Sequence, residues 1–106
     1  MGVTLRYVRR ATREVSFGGV RIGGGNPIAV QSMANTPTAN IEDTVAQTLR
    51  IANAGAEIVR LTAQGMKEGE ALHTIMERLG EEQCHAAIVA DIHFTPEIAM
   101  MAAEAV

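Results

Sequence analysis

The sequence predicts an α/β fold in which a β-hairpin precedes three βα units, and three observations carry that prediction. Apolar runs centred on Val30, Val59 and Val89 recur 29 and 30 residues apart. Each is followed by a segment whose apolar side chains return at helical spacing. Glycine or proline stands where the chain must turn between them. A regular βα repeat implies a parallel sheet with right-handed crossovers. Continuous rather than alternating apolar strands predict that both faces of that sheet are covered. Two architectures fit: an open doubly wound sheet, or the first part of a closed (β/α)8 barrel.

The elements follow in order. Residues 12 to 22 alternate loosely around Phe17-Gly18-Gly19-Val20, where two glycines supply the positive φ of a tight hairpin turn. Gly23-Gly24-Gly25-Asn26-Pro27 breaks the pattern, and an apolar strand is predicted from residue 28 to about 33. After a loop containing Pro37, Asn40 is a good N-cap, with Asp43 placed to favour the helix dipole, and Ile41, Val45, Leu49 and Ala52 form a stripe. Gly55 should end that helix as a C′ glycine, and residues 57–62 read as a buried strand. The second helix is predicted over about 67–79, with Leu72, Ile75, Met76 and Leu79 on one face and Gly80 marking its end. A third apolar run covers 86–90. Thr95 then suits an N-cap and Pro96 the first helical position, with Ile98, Met101, Ala102 and Ala105 along one face.

Composition excludes several classes. Hydrophobic residues make up 47% and the formal net charge is only −3, which argues against disorder, and no apolar run is long enough to span a bilayer. With no Trp, one Tyr and two Phe, stacking platforms for single-stranded nucleic acid are nearly absent, and the six Met read as core filler, Met33 excepted by its position. The lone Cys84 can form no internal disulfide and cannot by itself hold a zinc or iron–sulfur site. Charge is uneven: Arg6, Arg9, Arg10, Arg13 and Arg21 face only Glu14 in the first 21 residues, so residues 1–11 read as a basic, solvated arm. That leader has neither the apolar core nor the cleavage site of a signal peptide, so a cytoplasmic, reducing location is expected.

In parallel α/β folds ligands sit at the carboxyl ends of the strands, so polar residues there need explaining. Alternation places Gln31 with Met33, Arg60 with Thr62, and Asp91 with His93, each pair on one strand face. Arg60 is the sharpest of these, because a guanidinium within an apolar strand needs an anion. That anion is either Asp91 on the adjacent strand, as a structural salt bridge, or a phosphate or carboxylate ligand. Asp91 and His93, about 6–7 Å apart along the strand, suit acid–base chemistry, anion binding or a hydrogen-bonded structural pair. No third metal ligand lies nearby, so no metal site is expected here. The glycines at 23–25 precede a strand rather than open a helix, which favours loop geometry over phosphate binding. His73, His85 and Cys84 fall on a helix surface or at the amino end of a strand, away from such a mouth.

Taken together, Pro27-Ile28-Ala29-Val30-Gln31-Ser32-Met33, Asn35-Thr36-Pro37-Thr38, Ala54-Gly55-Ala56-Glu57-Ile58-Val59-Arg60 and Ala90-Asp91-Ile92-His93-Phe94 closely resemble the N-terminal part of the 4-hydroxy-3-methylbut-2-enyl diphosphate synthase family. The "VQSM" and "ADIHF" strings in this order are far more specific than any single motif, and the resemblance runs from about Arg10 to the end. It implies a hairpin followed by three βα units of a (β/α)8 TIM barrel, with residues 12–106 as the N-terminal part of a substrate-binding domain. It implies an oxidoreductase of the methylerythritol phosphate route to isoprenoids, which reductively opens 2-C-methyl-D-erythritol 2,4-cyclodiphosphate. A [4Fe-4S] cluster does the redox work, held by three cysteines and a glutamate in a separate C-terminal domain, with electrons from flavodoxin or ferredoxin and a homodimer bringing one subunit's cluster over the other's barrel. Carried onto this chain, Arg60 grips diphosphate with Asp91 and His93 beside it, and Gln31, Ser32 and Met33 match the first barrel strand.

This chain has none of the cluster cysteines and only three βα units, so it is expected to be an inactive piece of a larger enzyme that aggregates, swaps or pairs through its open edges. No membrane or nucleic-acid partner is expected. A pterin-binding barrel of the dihydropteroate synthase type and a non-catalytic phosphate-binding half-barrel are the alternatives.

Overall fold

The structure, a computed structural model, describes residues 10–93 and 95–106. The basic arm read over 1–11 therefore lies outside the described residues up to position 9, as does Phe94 of the "ADIHF" string. Strands β1 (Val15–Phe17) and β2 (Val20–Ile22) pair antiparallel with Phe17 opposite Val20. Gly18 and Gly19 form the two-residue turn between them, with φ of +53° and +81°. Positive φ at both positions matches the right-handed twist of the strands and is reached by glycine without a Cβ penalty.

The chain then runs β3 (Gln31–Met33), α1 (Ile41–Asn53), β4 (Ile58–Ala63), α2 (Met66–Glu81), β5 (Ala87–Ile92) and α3 (Pro96–Ala105). The three strands form one parallel sheet in the order β3-β4-β5. Alternation along β4 sends Val59, Leu61 and Ala63 to one side, where all three are fully buried. Val45 of α1, Leu72, Ile75 and Leu79 of α2, and Ile98 and Ala102 of α3 join them in a single core. Burying each of the larger side chains stabilises the fold by about 1.5–3 kcal/mol before the cost of ordering the chain. All three helices thus share one core with the same face of β4. A doubly wound sheet would divide its helices between two faces, whereas one-sided coverage is how helices surround a (β/α) barrel.

The expectation that both sheet faces are covered needs correction. On the face away from the helices only the amino ends are sheltered: Ile58 and Ala87 are 5% and 4% exposed. The hairpin provides that cover. A Cβ on Gly18 would lie 2.7 Å from the Cβ of Ala87, and Ile58 shares a cleft with Ile22 of β2. Farther along the same face Gln31 and Met33 of β3 are exposed and Arg60 and Thr62 are half-buried. Strand β3 is also shorter than residues 28–33. Pro27 has no N–H to give, Ile28 is 82% exposed, and pairing begins where the Val30 carbonyl accepts from the amides of Glu57 (2.8 Å) and Ile58 (3.1 Å).

Helix ends follow their chemistry with two exceptions. The Asn40 Oδ1 accepts from the Asp43 amide, and Pro96 occupies the first turn of α3, but Thr95 makes no side-chain cap bond. Helix α1 closes in a Schellman motif with Gly55 at φ +116°, where Gly55 N–H bonds the Ala52 carbonyl and Ala56 N–H that of Ile51. Helix α2 runs through Gly80 to Glu81 and closes identically one turn later, with Gln83 at φ +56° and bonds from Gln83 to Gly80 and from Cys84 to Leu79. Gly80 keeps helical φ because the left-handed residue belongs after the cap, not inside the last turn. The methionines divide: Met76 and Met101 are half-buried, but Met66 and Met100 are 51% and 73% exposed, because the first opens α2 and the second lies off the buried stripe of α3. Arg78 joins α2 to α1 by a bidentate pair to Glu42 at 2.7 and 3.0 Å.

Two outcomes follow for stability. Gln83→Gly removes a left-handed side chain and should raise the unfolding free energy by roughly 0.5–1 kcal/mol in urea titrations. An equal or lower midpoint would mean that Gln83 makes compensating contacts. The Arg78 guanidinium, by hydrogen bond and charge, holds the Glu42 carboxyl below its ordinary value of 4.5. The pair therefore stabilises above that value and loses its effect as pH falls through the lower folded-state value. Glu42→Gln should lower the melting temperature slightly at neutral pH, and the difference from wild type should shrink steadily as the pH is taken below the ordinary carboxylate range.

Candidate functional site

The register fixes which side chains share the open face. Gln31, Ile58 and Ala87 lie in one lateral row and Met33, Arg60 and Val89 in the next, and Thr62 and Asp91 form the row nearest the carboxyl ends. In-register neighbours on parallel strands point the same way, about 4.8 Å apart. Arg60 and Asp91 are thus one row out of step, and the long arginine stem crosses that step. Its Nε and Nη2 donate to Asp91 Oδ2 at 3.3 and 3.2 Å. The His93 Nε2 lies 3.4 Å from the same oxygen. One carboxylate oxygen therefore gathers a guanidinium and an imidazole at the carboxyl ends of adjacent strands.

Burial grades across this cluster. The Asp91 side chain is 19% exposed, that of His93 35% and that of Arg60 41%. The carboxylate and the His93 Nε2 are the sheltered centre, and the guanidinium is the more accessible partner. The salt bridge expected as one reading of Arg60 is present, and it occupies only one edge of the fork. Among the described residues Nη1 donates to no acceptor, so the outer edge faces the open side of the sheet.

The remaining expected site residues divide. Gln31 and Met33 share the open face, both exposed, with Met33 beside Arg60. Ser32 is not brought to it: its register partner is Val59, a core residue, so Ser32 points to the helix side of the sheet. Thr62 stands on the open face two residues past Arg60 and level with Asp91, and the period-two alternation of β4 is the sequence signal for it. His73 and His85 are exposed, and His85 and Cys84 border a cleft of about 660 Å³ between the hairpin turn and the ends of α1 and α2, before β5 starts. The glycines at 23–25 serve loop geometry: Gly23 and Gly24 have φ of +78° and +57°, and Gly24 N–H bonds the Thr12 backbone and hydroxyl.

Could these residues hold an iron–sulfur cluster? A cluster needs several thiolates, and the chain has one cysteine. Among the described residues no three His, Cys, Asp or Glu side chains converge on a metal position. The donor set does not fit. Nor, among the described residues, is any helix long and apolar enough to cross a membrane.

Comparison with known proteins decides the family. The family model for the GcpE TIM-barrel domain matches residues 12–106. The chain belongs to the GcpE TIM-barrel family. Among curated relatives of this family, a Bacteroides fragilis protein named 4-hydroxy-3-methylbut-2-en-1-yl diphosphate synthase (flavodoxin) is 51% identical over 98 residues, covering 92% of this chain and 16% of its own. A Persephonella marina protein of the same name is 49% identical over 91% of this chain and 26% of its own. An Arabidopsis thaliana protein, named as the ferredoxin, chloroplastic form, is 44% identical over 93% of this chain and 13% of its own. The chain thus spans between 13% and 26% of the length of these GcpE-family relatives. Neither the pterin-binding barrel nor the non-catalytic module finds support in these matches.

The grading of burial gives a stability test. Asp91→Ala frees a guanidinium that water already reaches, so the expected loss is roughly 1 kcal/mol, well short of the 3–5 kcal/mol of a fully buried pair. Chemical unfolding of the variant measures it, and a loss in the larger range would mean that Arg60 is shut away from solvent.

Proposed function

We propose that this chain is the N-terminal part of the substrate-binding (β/α)8 barrel of a 4-hydroxy-3-methylbut-2-enyl diphosphate synthase, with the hairpin and three βα units as the barrel's first sector. The reaction is the reductive opening of 2-C-methyl-D-erythritol 2,4-cyclodiphosphate, with electrons from flavodoxin or ferredoxin. The names of the relatives support both the reaction and the donors. The single observation that carries the site is the convergence of Arg60 and His93 on one Asp91 oxygen at the carboxyl ends of β4 and β5.

In this reading Arg60 takes a diphosphate oxygen on its outer edge, since a guanidinium matches oxyanion geometry and its inner edge is already engaged. His93 lies within reach of the same ligand. Asp91 acts by holding both, because a carboxylate set directly against a diphosphate would repel it. Gln31 and Met33 line the approach, while Ser32, facing the helices, contributes to the strand and not to the ligand. A [4Fe-4S] cluster would be held by residues outside this chain, in a homodimer, and would supply the redox chemistry. Cys84 stays a reduced thiol in the cytoplasm, and neither nucleic acid nor membrane takes part.

Two measurements on the full-length protein test this. Anaerobic reconstitution with iron and sulfide should give a brown protein, and a colourless one would count against the reading. Arg60→Ala should weaken cyclodiphosphate binding by about 1.5–3 kcal/mol, the range of a hydrogen bond to a charged group. Unchanged affinity with reduced stability would leave Arg60 with the salt bridge alone.

A further inference from the structure

Thr62 is the last residue of β4 to face the open side of the sheet, and we propose that its hydroxyl is a further substrate-positioning contact, donating to an oxygen of the ligand held by Arg60. The proposal rests on the function proposed above and adds to it a residue outside the expected site. Four observations support it. Leu61 and Ala63, on either side of Thr62, are fully buried in the helix-facing core, so alternation turns Thr62 the other way. It is level with Asp91 in the register, which puts the two side chains about 4.8 Å apart across neighbouring strands. It lies one row beyond Arg60 toward the carboxyl ends, the side from which a ligand enters a parallel sheet of this kind. And it is only half-buried, with its hydroxyl in no hydrogen bond among the described residues.

Thr44 is a threonine of the opposite kind. The hydroxyl of Thr44 sits in the α1 interior, where it donates to the Pro37 carbonyl at 2.9 Å and meets Thr36 Oγ1 at 3.0 Å. That threonine is committed to the fold. Thr62 has no such commitment, and its O–H, unlike the Asp91 carboxylate, can donate to an anionic oxygen. It stands one row beyond Arg60 and level with Asp91, so a ligand seated on the outer edge of the guanidinium would come within reach of it. A methyl there would present no donor to that ligand.

The test compares Thr62→Val, Thr62→Ser and Arg60→Ala in the full-length protein, measuring calorimetric affinity for the cyclodiphosphate and the melting temperature of each. The expected result is a loss of about tenfold or more in affinity for Thr62→Val, recovery to within about threefold of wild type for Thr62→Ser, and melting temperatures close to wild type for both. If Arg60→Ala weakens binding and Thr62→Val does not, Thr62 serves only as a β-forming residue and this proposal is overturned while the function stands. If Thr62→Ser loses as much affinity as Thr62→Val, packing of the γ-methyl is responsible and the hydroxyl role is again overturned. If neither Arg60→Ala nor Thr62→Val alters affinity, the site itself is misassigned and the function reading fails with it.

Discussion

The lateral register of three parallel strands is the constraint on which the rest of this structure depends. A strand can offer only every second side chain to the helices. Once Val59, Leu61 and Ala63 are committed to the core, Arg60 and Thr62 have no other place than the opposite face. The pairing of Thr62 with Asp91 then brings β5 into the same phase, so that its carboxylate falls within reach of the guanidinium from one row below. A slip of one residue in β5 would send Asp91 toward the helices and leave Arg60 with no anion. The apolar core and the polar cluster are therefore a single arrangement seen from its two sides, and the strength of the first holds the second in place.

The two ends of the sheet are finished by different means, and the difference separates structure from chemistry. At the amino ends the hairpin turn lies against Ala87, close enough that Gly18 has no room for a side chain, and the Schellman closures of α1 and α2 deliver the chain into β4 and β5. Backbone hydrogen bonds and small residues dominate there. At the carboxyl ends the open face carries polar side chains that are only partly buried. A guanidinium and an imidazole meet on one sheltered carboxylate oxygen, and the guanidinium keeps one edge for the open side, a disposition suited to anions.

Much of this was legible in the sequence. The spacing of apolar runs gave the order of strands and helices, Asn40 and Gly55 marked the two ends of α1, and alternation predicted that Arg60, Thr62, Asp91 and His93 would share faces in pairs. Less legible was anything set by a second element. Gly80 looked like a helix stop and is not, because Gln83 takes the left-handed position once the following residues can bond back to Leu79 and Gly80. Ile28 and Val30 looked like buried strand and are exposed, since they precede the paired part of an outer strand. Ser32 shared a motif with Gln31 and Met33 but faces the other way, a consequence of strand alternation that the resemblance of the string alone does not reveal.

By itself the sequence determined the βα periodicity, the two ends of α1 and the family resemblance, because these depend on residues close together along the chain. Only the tertiary structure decided that the helices share one face of the sheet, that the hairpin covers the amino ends, and that the anion within the protein is Asp91, one oxygen of which lies 3.2 Å from Arg60 and 3.4 Å from His93. Those outcomes depend on how strands 30 residues apart align, and that alignment is set by the packing of the whole core and the hydrogen bonds between strands, which no local stretch of sequence encodes.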